Sequence, residues 1–245
     1  ATPTLRGFRD RDYVQTKEGY FFCIVGPIHP EDRVIAYLKY VPDPLGKWGK
    51  GETRFRRALG RYTMLDLLET LKFLECHPEY LYDSSVLSIV ISAVPLERMS
   101  AHLKPEEKLS QLMQIGDLDA LERKAIDLAT LVSDESGIPI EYFGVTGSLL
   151  LDIYQDFSDI DLIVYGAKNS EAVKEALTRL YEERRSPIQR FDEGRVRELG
   201  LAKARMYPLT YEEAVTIFKR KWGRGLFRGT EFSVHLVKLE KDVSE

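Results

Sequence analysis

Asp159 and Asp161 stand one residue apart at the head of an apolar run in the stretch GVTGSLLLDIYQDFSDIDLIVYG, residues 144–166. Side chains alternate along a strand, so the two acids share one face while Ile160, Leu162 and Val164 point the other way, into a core. Two carboxylates on one face repel each other, and burying an unpaired charge is costly. A divalent cation between them removes the conflict. Mg²⁺ favours one or two carboxylates and completes its shell with substrate phosphates, so the pair suits an ion that carries the phosphate tail of a nucleotide. The competing reading is a surface pair clasped by Lys or Arg.

Gly147 and Ser148, the chain's single Gly-Ser dipeptide, precede the pair. Gly144 and Gly147 let a backbone turn sharply and approach a ligand closely. A helix opening at Gly147 and carrying Leu149 to Tyr154 would aim free N–H groups outward, where they bind phosphate, and Ser148 adds a hydroxyl. An ordinary helix cap is the alternative. The chain has two other Asp-X-Asp pairs. Asp10/Asp12 lies between arginines and reads as solvated loop surface. Asp117/Asp119 opens a helix, where acids suit the positive dipole end.

Cations gather in two places. Residues 217–230, IFKRKWGRGLFRGT, hold Lys219, Arg220, Lys221, Arg224 and Arg228 with no acid, interleaved with Trp222 and Phe227. Such a run holds phosphates and stacks bases, or forms a solvated helix end with buried aromatics. Arg54, Arg56, Arg57 and Arg61 form a second patch, for which a solvated face is the leading reading. His29, His77 and His102 show no ligand spacing.

Residues 144–166 resemble the nucleotidyltransferase motif of the DNA polymerase beta superfamily, in which Gly-Ser or Gly-Gly shortly precedes an Asp-X-Asp entering an apolar strand. The likeness covers residues 138–166 closely and 169–240 by element order alone; the layout is similar to archaeal nucleotidyltransferases of unassigned substrate. The resemblance implies that Gly147 and Ser148 contact the triphosphate and that Asp159 and Asp161 bind Mg²⁺ (or Mn²⁺); from the basic run, Lys219 or Lys221 is expected to meet the triphosphate. The resemblance also implies in-line attack of an acceptor hydroxyl or phosphate on the α-phosphorus of an NTP, first of all ATP, with pyrophosphate released and cations steadying both oxygens. RNA and protein are the acceptors considered.

The family pattern carries a third carboxylate on a later strand. The corresponding phrase here is Ser233, Val234, His235, Leu236, with serine in the acid's place. Glu231, two residues earlier and on the same face, is the expected substitute as catalytic acid and third metal ligand. His235 is a candidate base or phosphate contact, and Asp192 and Glu193 are outside candidates. Without a third acid, the alternative is a catalytically weakened RNA-binding or regulatory module of the same fold. A further alternative is an antitoxin-like partner that modifies a protein.

Around these residues the sequence predicts an α+β chain. Residues 1–104 read as a β-rich domain, with strands in GYFFCIVG and DRVIAYLKYV and a helix in YTMLDLLETLKFLECH. Acceptor recognition and dimerisation in a homo-oligomer are the two roles open to it. Residues 105–245 open on two helices, the second capped by Asp117 and stopped by Gly137. They continue as strand (IPIEYFGV), helix, strand (DIDLIVYG), a helix capped by Asn169 or Ser170, a polar segment, a helix (TYEEAVTIFKRKW) and a last strand (TEFSVHLVKLE). That order predicts a small mixed sheet with helices on one face.

Composition bounds the classes. Of 245 residues, 44% are hydrophobic and 30% charged, with a net charge of −4, which fits a globular chain with a sizeable core. No apolar stretch approaches the ~20 residues that cross a bilayer, so no membrane partner is expected. The opening ATPTLRGFRDRDYV lacks the apolar centre of a signal peptide. Cys23 and Cys76 read as buried thiols, which together point to the cytoplasm. A single asparagine beside many Glu, Lys and Arg fits a heat-adapted source.

Overall fold

The structure is a computed structural model and describes residues 6–60, 63–86 and 88–243. It is α+β, with two sheets. The first is built from β1 (Tyr13–Thr16), β2 (Phe21–Ile24), β3 (Arg33–Pro42), β4 (Phe55–Arg57), β5 (Leu81–Ser84), β6 (Ile89–Pro95) and β7 (Met99–Leu103), with helix α1 (Met64–Leu74) between β4 and β5. Its order is β5-β6-β3-β2-β1-β7, with β4 added to the far end of β3. Every pairing is antiparallel.

Aromatic and β-branched residues make these segments strands, and their alternation gives the sheet two apolar faces. On one, Val14, Phe22, Val34 and Leu38 pack against Leu74 and Tyr80. On the other, Tyr13, Phe21, Cys23 and Tyr40 pack against Leu150, Leu151 and Ile153 from the second half of the chain.

That half holds α2 (Pro105–Gln114), α3 (Ala120–Ser136), β8 (Phe143–Thr146), α4 (Gly147–Leu150), β9 (Ile160–Tyr165), α5 (Ala167–Glu182), β10 (Ile188–Gln189), α6 (Glu193–Met206), α7 (Tyr211–Arg220), β11 (Arg224–Phe227) and β12 (Thr230–Val237). The sheet runs β10-β11-β12-β9-β8 and is mixed, β9 and β12 being parallel. Ile160, Leu162, Val164, Phe232 and Val234 pack with Leu128 and Val132 of α3 and with Val173 and Leu177 of α5. The opposite face of β9 and β12, carrying Asp161, Ser233 and His235, is turned away from these helices.

Several local expectations change. Asp119, not Asp117, caps α3, accepting from the N–H groups of Leu121 and Glu122, and Gly137 ends the helix at φ 70°. Gly166 opens α5 in place of Asn169 or Ser170. The segment after α5 forms β10 and α6, and Asp192 is spent as the cap of α6. Leu65 and Leu68 of α1 are exposed. Cys76 is exposed while Cys23 is buried. Arg61 lies outside the described residues.

The first Asp-X-Asp is not solvated surface. Asp12 is fully buried. Arg6 pairs with it at 2.6 Å and also binds Glu106 of α2, while His102 reaches it at 2.8 Å. Tyr165 of β9 donates to Glu106 at 2.7 Å. This network ties the first sheet to the second. Arg6 and Tyr165 hold the Glu106 carboxyl below its usual range against the opposing effect of burial.

Candidate active site

Gly147 follows β8 with φ +67°, a left-handed conformation that side chains resist. A Cβ there would fall 2.5 Å from Oδ2 of Asp161. The register explains the approach: β8 and β9 pair with Thr146 opposite Asp161, so the residue after Thr146 turns across that carboxylate. Gly144 has a different role from the one expected. A Cβ there would meet Pro105 at 2.6 Å, so this glycine lets the first turn of α2 lie on β8.

The helix expected through Tyr154 is the single turn α4, Gly147–Leu150. The chain folds back at once, with the Ile153 N–H donating to the Ser148 carbonyl. The Thr146 hydroxyl, instead of capping that turn, donates to the Arg11 carbonyl of the first half at 2.9 Å.

Across the strand, Ser233 of β12 is the register partner of Asp161. Its hydroxyl donates to Asp161 Oδ1. The Ser233 Oγ also lies 2.8 Å from His235 Nε2. Because a serine hydroxyl has one proton to give, His235 must donate from Nε2, and the three side chains form a chain from His235 through Ser233 to Asp161. His235 and Ser233 hold Asp161 below the usual carboxylate range despite burial, with Lys39 assisting. Asp159 moves the opposite way: burial and the charge of Asp161 raise it, outweighing Arg57 and Arg224.

Both acids line a cavity of about 670 Å³, together with Gly147, Ser148, Ser233, His235 and Lys221. The volume falls in the range of small-molecule sites. The first half of the chain contributes Tyr37, Lys39, Tyr40 and Arg57 from its sheet, and Asp10 and Arg11 from the turn before β1. Five Lys and Arg side chains confront three carboxylates there, so the cavity carries excess positive charge. Arg224 Nε is buried and meets no acceptor among the described residues. Burial, with Lys203 and Arg224 alongside, pulls Lys221 down. Each of these features is relieved by an anion.

The expected residues therefore divide. Asp159, Asp161, Gly147, Ser148 and Lys221 come together. Lys219 does not line the cavity. Glu231 is drawn elsewhere: Arg195 of α6 holds its Oε1 at 2.6 Å, and Arg224 lies 3.8 Å from Oε2. Among the described residues, no group of three His, Cys, Asp or Glu side chains is placed to hold a metal ion, so the third carboxylate is not supplied by Glu231, nor by Asp192, whose oxygen is taken by the Arg195 N–H.

The remaining pair still fits one Mg²⁺. Asp159 makes no ion pair among the described residues; burial and then the charge of Asp161 raise it, while His235 and Ser233 lower Asp161. Two acid ligands and several phosphate or water oxygens make a usual Mg²⁺ shell.

The chain is similar to the uncharacterized protein MJ1086 of Methanocaldococcus jannaschii, with 31% identity over 241 residues, covering 97% of this chain and 70% of that protein. No family model and no solved structure matches it. Among the described residues no helix is long and apolar enough to cross a membrane.

Proposed function

We propose that this chain, which belongs to the same family as the archaeal protein MJ1086, is a nucleotidyltransferase that moves NMP, AMP from ATP before the others, onto an acceptor and releases pyrophosphate. The observation that carries the reading is the contact of the Gly147 turn with Asp161 inside a cavity that also holds Asp159, Ser148 and an excess of cations. We read the chain as a cytoplasmic member of the DNA polymerase beta-like superfamily.

Mg²⁺ held by Asp159 and Asp161 would offset phosphate charge and bring the reacting oxygens into line. The chain's own residues do the rest. Gly147 lets the turn lie against Asp161, and Ser148, which lines the same cavity, offers a hydroxyl to a phosphate. Lys221 and Arg224 neutralise the charge that grows on the leaving group. His235 and Ser233 keep Asp161 ionised and fix its rotamer. The acceptor oxygen bonds to the α-phosphorus as the bond from that phosphorus to the pyrophosphate oxygen breaks, and the acceptor's proton leaves to solvent.

The test is label transfer from each α-labelled NTP, with Mg²⁺ and with RNA or protein as acceptor, repeated with Asp159→Ala and Asp161→Ala. Transfer abolished by both changes supports the enzyme. The second reading, a weakened RNA-binding or regulatory module, is favoured by Ser233 in the acid's place and by the engagement of Glu231 with Arg195. It requires salt-sensitive RNA binding that survives both changes, without transfer.

A further inference from the structure

The first sheet contributes charge to this cavity that the nucleotidyltransferase resemblance does not account for. Lys39 of β3 is only 9% exposed, and Arg57 of β4 reaches the same space. A lysine buried beside other cations is stabilised by opposite charge. Asp161 supplies part of it, and the cavity as a whole remains cationic.

Lys39 Nζ lies 5.9 Å from the centroid of the Tyr37 ring, and the strand that carries it is fixed. The Lys39 carbonyl accepts from the Ala58 N–H at 2.9 Å, which locks the β3–β4 hairpin beside it. The Arg57 guanidinium lies over the Trp48 ring, 4.5 Å from its centroid. Trp48 is itself fixed by backbone hydrogen bonds exchanged with Phe55. The loop carrying Trp48 is pinned to the second half: the Gly49 N–H donates to the Ile153 carbonyl at 2.8 Å, and Gln155 donates to the Gly49 carbonyl at 2.6 Å. Lys50 donates to the Tyr154 hydroxyl at 2.8 Å. Arg57 is thereby placed relative to the segment that leads into Asp159. Preorganised cations of this kind bind anions without the entropic cost of ordering long side chains.

We propose that Lys39 and Arg57 form one jaw of a polyphosphate clamp, with Lys221 and Arg224 as the other, so that a chain of linked phosphates bridges the two sheets. The ligand class is a nucleoside triphosphate or its pyrophosphate product, and its identity as a nucleotide rests on the transferase reading; the clamp itself needs only linked phosphates. It makes the first half of the chain a working part of the site.

The experiment is calorimetric titration of the full chain with inorganic tripolyphosphate, and separately with inorganic phosphate, in the absence of divalent ions. Tripolyphosphate binds, and phosphate, with less charge to share among the four cations, binds more weakly. Lys39→Met and Arg57→Gln each weaken tripolyphosphate about tenfold or more, the scale of one charge-assisted hydrogen bond. Lys39→Arg keeps most of the affinity, and Asp159→Asn, which removes a negative charge, does not weaken it. Thermal melts accompany each variant; if Lys39→Met fails to fold, Lys39→Arg and Arg57→Gln decide. Absence of tripolyphosphate binding by the wild-type chain, or unchanged binding in the folded variants, overturns the clamp. A chain that binds through Lys39 and Arg57 but never transfers label keeps the clamp and loses the transferase reading. One that transfers label regardless of both residues loses the clamp alone.

Discussion

The backbone of Gly147 lies so close to Asp161 that a Cβ on residue 147 would stand 2.5 Å from the carboxylate oxygen Oδ2. Thr146 and Asp161 are register partners, so the turn and the acid are neighbours because two strands pair, and the closeness depends on the absence of one methyl group. Glycine at this position answers both a left-handed backbone and a lack of room.

Gly147→Ala therefore meets two obstacles at once, φ +67° and the Asp161 oxygen. The expected cost is about 1–3 kcal/mol of stability from backbone strain, with nucleotide binding lost as Asp161 is pushed from its place. Chemical denaturation and ATP titration of the variant check this. Unchanged stability with unchanged binding would show that the turn does not press on the acid.

Glu231→Gln leaves metal-dependent nucleotide binding intact, because Glu231 is held by Arg195 outside the cavity. The partly exposed pair contributes at most about 1 kcal/mol. Titration of ATP with Mg²⁺ against the variant measures it. A loss as large as that from Asp159→Ala would mean that Glu231 leaves Arg195 and joins the metal.

Ser233→Asp replaces a donor to Asp161 with a third carboxylate. Without divalent ions the variant melts at a lower temperature than the wild type, since a hydrogen bond worth about 1.5–3 kcal/mol to a charged group becomes a repulsion. Mg²⁺ then raises its melting temperature more than it raises that of the wild type, by preferential binding to the folded state. Equal responses to Mg²⁺ would place Ser233 out of reach of the ion.

How much of this was legible follows from distance along the chain. The Asp159 and Asp161 pair could be read because strand alternation is local, and Ile160, Leu162 and Val164 indeed fill the core beneath them. The cationic wall could not. Lys39 sits in an ordinary alternating strand and Arg57 in a basic patch that looks like any solvated face; contacts far apart in sequence, the packing of Tyr40 on Ile153 and the pinning of the 48–50 loop to Ile153 and Gln155 among them, bring them to the acids. Asp12 departs from the solvated reading for the same reason, since Arg6 and His102 converge on it and Arg6 also binds Glu106 of α2. Helix α6 was missed because few of its residues are buried, Val196 and Gly200 among them. Strand β11 was hidden in a basic run where Leu226 and Phe227 are brief apolar interruptions, and its pairing with β12 decides its form.

The tie between the two halves has a pH limit. Arg6 and Tyr165 hold Glu106 below its reference value of 4.5. A carboxylate whose folded pKa is depressed stabilises the fold fully above the unfolded value, and that contribution fades as pH falls through the folded pKa. Stability is therefore expected to decline below about pH 4.5. Glu106→Gln flattens this acid limb and lowers stability at neutral pH. Denaturation midpoints between pH 3 and 7 for both chains check it; parallel curves would remove Glu106 from the linkage.

The central claim is that Asp159 and Asp161 together hold a divalent ion facing the Gly147-Ser148 turn. The most direct measurement is anomalous scattering from a crystal grown with ATP and Mn²⁺. The account predicts a manganese peak touching both carboxylates and a phosphate oxygen of the nucleotide. Nucleotide bound with no manganese there, and both acids closed onto Lys39, Arg57 or Arg224, would contradict it.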